Sequence, residues 1–475
     1  MIRFFLLLTL ALGFQSTYAD TRLPSLTGPG AAMVAADAEY RLGRNWARIL
    51  RGRAPLLEDP IVYHYVDDLL WRLVPGSQIT DRRLELIMLD NPTFNAFAVP
   101  GGIIGVHGGL FLAAESEDEV ASVLAHELAH LSQRHFAQRL EEERRARPLV
   151  LAGILASILI SAADVQGGTA ALSTTIAAQA QSQLSFSRRY EQEADRIGMQ
   201  TLVASGLDPH AMPQMFSRLQ RNYRFYGQRP PEFLLTHPVT ESRIADSLNR
   251  AETLPRPAER AYNPEFEIIR TRLEVHFSKQ PAQTLQRYQA DNTVNPSAKN
   301  DYGIVMAAMR NGQTSLAREH LEKLPANWRQ HLYIALTEVE IMLAAGEYAQ
   351  AFERSNTLNK IYPGSLPVRK LLATAARETG KLQQATALYR QILRDYPTDT
   401  DSLFQLAETE GLLGNILAVH EARIDYFLLT GNFDHAQRQV EFAKRDSIHS
   451  PSDLSRFEEK EAEVEEIRRQ IREDL

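Results

Sequence analysis

The chain contains no cysteine at all. That removes disulfide staples, thiolate catalysis and cysteine-ligated zinc in one step, so any metal must be held by histidine and carboxylate. It also lacks an excess of positive charge: 52 Lys and Arg stand against 59 Asp and Glu, a formal net charge of −7. Nucleic-acid binding, which needs a basic face, is therefore not expected. Uninterrupted apolar stretches long enough to cross a bilayer as a helix are missing too, because residues 149–160 form a run of only about twelve. A membrane-embedded enzyme with several spans is excluded on that ground.

What is present describes a secreted globular protein of more than one domain. At 475 residues the chain exceeds what a single hydrophobic core organises. Arg3, the apolar stretch 4–13 and the small residue Ala19 before Asp20 have the three-part layout of a signal peptide. Residues 1–19 are read as that peptide, cleaved after Ala19, so that the mature chain is a secreted one.

Composition then divides the mature chain. Residues 20–262 mix helical patterns with one β-rich stretch. There, residues 83–89 alternate, Asn91-Pro92 turns, 94–99 is β-rich, Pro100-Gly101-Gly102 interrupts, and 103–106 resumes. A proline-punctuated linker runs from Leu254 through Pro255, Pro257 and Pro264. Residues 263–475 are helical and repetitive. Gly312, Gly346, Gly380 and Gly414 recur every 34 residues, and Ala317, Ala351 and Ala385 keep the same interval, as do Pro363 and Pro397. This resembles the tetratricopeptide repeat. The register breaks after Gly414, since Gly431 opens a similar phrase 17 residues on. The charged tail from Glu458 reads as a solvated capping helix. The apolar run 149–160 and the small-residue stretch to 180 have three open readings: a buried core helix, a hairpin over the active site, or a peripheral membrane contact.

The chemistry lies in His126-Glu127-Leu128-Ala129-His130. Two histidines four apart on a helix project from one face and can share a metal ion. Zinc suits two neutral imidazoles plus a carboxylate with one open position, one ion per chain. Glu127 is then placed as general base for the attacking water. His135 lies nine residues from His126 and is expected on the opposite side of the same helix. The third ligand is sought instead in Ser187-Arg188-Arg189-Tyr190-Glu191-Gln192-Glu193-Ala194-Asp195. Glu191 is assigned as ligand and Asp195 as acceptor for a ligand histidine's second N–H, with Ala194 and Gly198 leaving room for close helix approach. Glu193, about 200° round the helix from Glu191, is expected to face solvent.

These two motifs, with Asn95-Ala96-Phe97-Ala98-Val99-Pro100-Gly101-Gly102 before them, resemble the gluzincin metallopeptidases of the CAAX-prenyl-protease and HtpX type. The resemblance implies Glu191 as third zinc ligand and an edge strand that pairs with extended substrate. It implies an α+β zincin-like peptidase domain, mostly helical with a small sheet, followed by an all-α tetratricopeptide-repeat solenoid. His237-Pro238 resembles the family's downstream His-Pro segment, with His237 either stabilising the oxyanion or filling the metal's fourth position as a gate. Arg243 is a weaker candidate for the same pocket.

With a signal peptide and C-terminal repeats, the resemblance further implies an envelope quality-control endopeptidase. Its substrates are expected to be unfolded or misassembled outer-membrane β-barrel proteins, its repeats docking on the barrel-assembly machinery. The alternative is a chaperone or adaptor of that machinery in which binding by the repeats dominates over proteolysis.

Overall fold

The computed structural model describes residues 29–138, 188–226, 232–258 and 260–474. The signal-peptide reading and the apolar segment 149–180 lie outside the described residues.

The described chain opens with helix α1 (Pro29–Arg53) and α2 (Pro60–Leu73). Asp59 caps α2, its Oδ1 accepting the Ile61 and Val62 N–H groups, and Pro60 occupies the first turn, where no amide partner is lost. Three short strands follow: β1 (Glu85–Leu89), β2 (Ala96–Val99) and β3 (Ile103–His107). Their order is β1-β3-β2, with β1 parallel and β2 antiparallel to the central β3. Strand β1, within the alternating stretch 83–89, is buried along its whole length. The reason is that the sheet has a core on each side. Leu86, Met88, Ala96, Ile104 and Val106 pack toward α2 and the metal-motif helix, while Ile87, Leu89, Phe97, Val99 and Ile103 meet Trp46 and Leu50 of α1.

After α3 (Gly109–Ala113) comes α4 (Glu117–Ser132), which carries the histidine pair. Ser116 caps it by accepting the Glu119 N–H, and Glu117, Asp118 and Glu119 place negative charge at the positive end of its dipole. The second motif lies on α5 (Arg188–Ala204), and α6 (Ala211–Tyr226), α7 (Glu232–Thr236) and α8 (Glu241–Ala251) close this part of the molecule. Gly198 of α5 permits the approach of α5 to α4: a Cβ there would sit 3.2 Å from the His126 backbone nitrogen and 2.9 Å from Met212 Cε. That matches the role expected for Gly198.

From Glu265 on, among the described residues, everything regular is helical: α9 (Glu265–His276), α10 (Pro281–Val294), α11 (Ala298–Arg310), α12 (Thr314–Lys323), α13 (Ala326–Arg329), α14 (Leu332–Ala344), α15 (Tyr348–Ile361), α16 (Leu366–Glu378), α17 (Leu382–Asp395), α18 (Thr400–Leu412), α19 (Ile416–Leu429), α20 (Phe433–Asp446) and α21 (Pro451–Asp474). Successive helices pack as neighbours through most of this array. The periodic glycines sit at its turns with φ of 72°, 75°, 76° and 74° at Gly312, Gly346, Gly380 and Gly414. A Cβ at any of them would meet nothing within 4 Å, so conformation rather than space demands glycine there. Gly431, with φ 63°, makes the same turn between α19 and α20. The 17-residue offset is thus one helix plus one turn, half a repeat.

The tail departs from expectation. Helix α21 is not merely solvated: Phe457, Val464 and Ile467 bury a stripe against α19 and α20. It also packs on α1, as α19 does, and Arg48 of α1 donates to the Leu428 carbonyl at 3.2 Å. The repeat array therefore curves round to touch the first described helix. One hydrophobic core runs from Leu57 and Leu110 through Ile268 and Leu273 to Ala407 and Ala422. At the junction Arg272 of α9 is fully engaged. It reaches Asp59 at the cap of α2 at 2.8 Å and Glu340 of α14 at 2.8 Å, with Tyr302 and Thr337 beside it. No described helix is long and apolar enough to cross a membrane.

Candidate metal centre

Helix α4 presents His126 and His130 on one face, their Nε2 atoms 3.0 Å apart. Glu191 of α5 approaches from the neighbouring helix, its carboxylate 3.5 Å from each of those nitrogens. His237, just past α7, completes the cluster with Nδ1 3.3 Å from His126 Nε2 and 3.0 Å from Glu191 Oε1. One ligand atom from each of these four residues lies within 4.8 Å of every other, and all four residues are buried. Two imidazole nitrogens pointed at one another, with a carboxylate beside them in a buried pocket, form a converging set of lone-pair donors. The arrangement fits a divalent cation, and these residues are the ones that would hold it.

Glu127 stands beside the cluster. Its Oε1 is buried without a hydrogen-bond partner and lies 3.6 Å from His237 Nε2. Burial pushes its carboxyl above the usual glutamate range, against the pull of His237 and His126. A buried, unsatisfied acceptor at the edge of a cation site is suited to taking a proton.

The groups behind the cluster set its charge. Asp195, one turn beyond Glu191 on α5, places Oδ1 3.0 Å from His126 Nδ1. Arg243 of α8 grips Asp195 with two hydrogen bonds of 2.7 Å and forms an ion pair with Glu191 Oε2, also at 2.7 Å. The guanidinium in turn lies 4.8 Å over the Phe216 ring. Burial disfavours a charged His126, but the carboxylates of Asp195 and Glu191 outweigh it and raise its imidazole to about 9. Burial and the neighbouring His126 drive His130 well below the ordinary histidine value. Burial opposes the Glu191 charge as well, yet His237 and Arg243 hold its carboxyl far below the usual range. Phe233 and Phe216 wall the histidines.

The structure brings His126, Glu127, His130, Glu191, Asp195 and His237 into one cluster, and Arg243, a weak candidate from sequence, ties Asp195 to Glu191. Two expectations fail. His135 does not face away on the same helix, because α4 ends at Ser132 and Arg134 adopts φ 52°. That left-handed turn swings His135 back beneath His130, Nδ1 to Nδ1 at 3.0 Å. Glu193 is not simply solvated: it is about a third exposed, with Oε2 3.5 Å from His135 Nε2.

A helix-borne histidine pair, a glutamate from the next helix and a small sheet alongside define a metallopeptidase. In agreement, residues 61–251 match the profile of peptidase family M48 and residues 342–408 that of a tetratricopeptide repeat. The chain belongs to peptidase family M48. It is 34% identical over 422 residues to the beta-barrel assembly-enhancing protease of Escherichia coli, covering 88% of this chain and 86% of that one. The protein of the same name from Yersinia pestis is 34% identical over 426 residues, 88% of this chain and 86% of the relative. A mitochondrial metalloendopeptidase of Schizosaccharomyces pombe is 29% identical over 216 residues, 45% of this chain and 60% of its own length.

Proposed function

We propose that this metallopeptidase is a zinc-dependent endopeptidase of the periplasm that degrades misassembled or stalled outer-membrane β-barrel proteins and assists their assembly through its repeats. The observation that carries the reading is the convergence of His126, His130 and Glu191 with Glu127 at its edge. His126, His130 and Glu191 are the metal ligands, and zinc suits a set of two imidazoles and a carboxylate. When bound, that ion supplies Lewis acidity to a peptide carbonyl and to water.

The chain's own residues do the rest. Strand β2 offers its outer edge to an extended substrate beside α4. Glu127 takes the proton of the attacking water and returns it to the leaving amine. Asp195, clamped by Arg243, keeps the proton of His126 on Nδ1 and its Nε2 lone pair turned inward. His237 acts as a gate: it fills the space between Glu191 and His126 and must move aside for substrate. His237→Ala then raises cleavage of an unstructured peptide, and the gate is wrong if cleavage is unchanged.

Residues 20–262 are assigned to the peptidase unit and 263–475 to the repeat unit, after a signal peptide at 1–19. Support for client or partner docking comes from Phe404, Leu412 and Ile416, large apolar side chains at least half exposed on α18 and α19. These exposed side chains also favour the second reading, a chaperone or adaptor in which proteolysis is secondary. Glu127→Gln separates the two. It is expected to keep the metal and client binding while cleavage falls at least ~100-fold. Full barrel-assembly support by that variant, with loss only on deleting 263–475, would favour the adaptor.

A further inference from the structure

The two histidines of α4 are backed differently, and the difference fixes a role for a residue outside the metal-binding motifs. His130 turns Nε2 toward the cluster, 3.0 Å from His126 Nε2 and 3.5 Å from Glu191 Oε1. An imidazole that offers one nitrogen's lone pair to a cation carries its hydrogen on the other. His130 Nδ1 is therefore a donor, and it faces His135 Nδ1 at 3.0 Å. Of two ring nitrogens at that distance one must accept, so His135 Nδ1 is the acceptor. The hydrogen of a neutral His135 then sits on Nε2, which lies 3.5 Å from Glu193 Oε2, near but not hydrogen-bonded to it.

The placement of His135 is determined by its surroundings. Its side chain is fully buried, and its ring stacks on Tyr190 of α5 at 4.6 Å between centroids and 26° between planes. The backbone delivers it there through Arg134, the only non-glycine residue with positive φ among those described. A left-handed conformation is disfavoured for a side chain with a Cβ, and such a turn persists where the surrounding packing holds it.

We propose that His135 is a positioning residue for the metal ligand His130: by accepting the Nδ1 hydrogen it fixes the tautomer and ring plane that present Nε2 to the ion. The centre is thus unsymmetrical. His126 leans on a carboxylate, Asp195, held by Arg243, whereas His130 leans on a neutral imidazole with Glu193 behind it. A carboxylate makes its histidine the stronger donor to metal, and a neutral acceptor orients with less charge transfer.

This inference rests on the metal reading of the site, and the test separates the two. Zn2+ alone is titrated into the full-length metal-free protein against a competing chelator, for wild type, His126→Ala, His135→Phe and His135→Asn, with melting of each metal-free form recorded. Phenylalanine keeps a flat ring on Tyr190 but accepts nothing, while asparagine places an oxygen near the Nδ1 position. The expected result is a 10- to 100-fold loss of affinity (on that order) in His135→Phe, largely restored in His135→Asn, with the two metal-free variants melting together. Wild-type affinity in His135→Phe overturns the proposal while leaving the metal site intact, provided His126→Ala still abolishes binding. Equal losses in both His135 variants, tracking a common fall in melting temperature, also overturn it, since packing alone would then be at stake. If wild type binds no Zn2+ that His126→Ala removes, both the site and the inference are gone.

Discussion

His126 and His130 are separated by one helical turn, yet their environments push them apart. His126 is raised to about 9 by Asp195 and Glu191 against the effect of burial, while His130 is driven down by burial and by His126 itself. A histidine raised in the folded state contributes stability that is complete below its unfolded value near 6.5 and disappears as pH rises through about 9. Chelator-treated protein is expected to melt progressively lower between pH 7 and pH 10, with roughly 2–3 kcal/mol at stake. His126→Gln should flatten that slope, and an equally steep slope in the variant would assign the effect elsewhere. Much of this chemistry is legible from residue spacing: i, i+4 geometry alone places His126 with His130, and Glu191 with Asp195. The importance of Arg243 lies in a contact 48 positions away, with no local pattern to announce it.

At the scale of elements, the site depends on α4 and α5 lying close together. Gly198 faces the His126 backbone, and a side chain there collides with Met212 and the α4 main chain. Gly198→Val is expected to cost about 1–3 kcal/mol by overpacking and to weaken metal binding by moving Glu191 away from the histidines. Calorimetry with metal titration checks both, and unchanged affinity in a destabilised variant would show that the helix spacing is not what sets the site. The end of α4 is where periodicity misled. Extending the helix by three residues puts His135 on its far side, but Gln133 caps α4 and Arg134 turns left-handed. Nothing in residues 131–135 resembles a helix stop, since the turn uses arginine where glycine is usual. The same error of continuation placed Glu193 in solvent: a rotation about one helix axis ignores what arrives from the next element. Strand β1 is legible from its alternation, but alternation does not announce that each of its faces meets a core.

Across the whole molecule, the repeats are not a loosely tethered appendage. Arg272 joins the cap of α2 to Glu340 in the array, a shared core crosses the junction, and α1 meets α19 and α21 at the far end. Removing one member of a buried ionic network strands the others, typically at about 3–5 kcal/mol. Arg272→Ala is accordingly expected to lower the melting temperature and to split unfolding into two steps, peptidase part and repeats. A single unshifted transition would mean the network does not couple them. The 34-residue glycine interval made the array readable, because positive φ at a turn leaves a mark in sequence. Its curvature back onto α1 left none, since it arises from small rotations summed over many helices.

Which side chains hold the ion is tested directly by a crystal structure of the protein loaded with zinc, with anomalous scattering recorded at the zinc edge. The expected result is one peak per chain bonded at about 2.0–2.2 Å to His126 Nε2, His130 Nε2 and a Glu191 oxygen, with Glu127 beside it and unbonded. A peak held by His135 and Glu193, or none between α4 and α5, would contradict it.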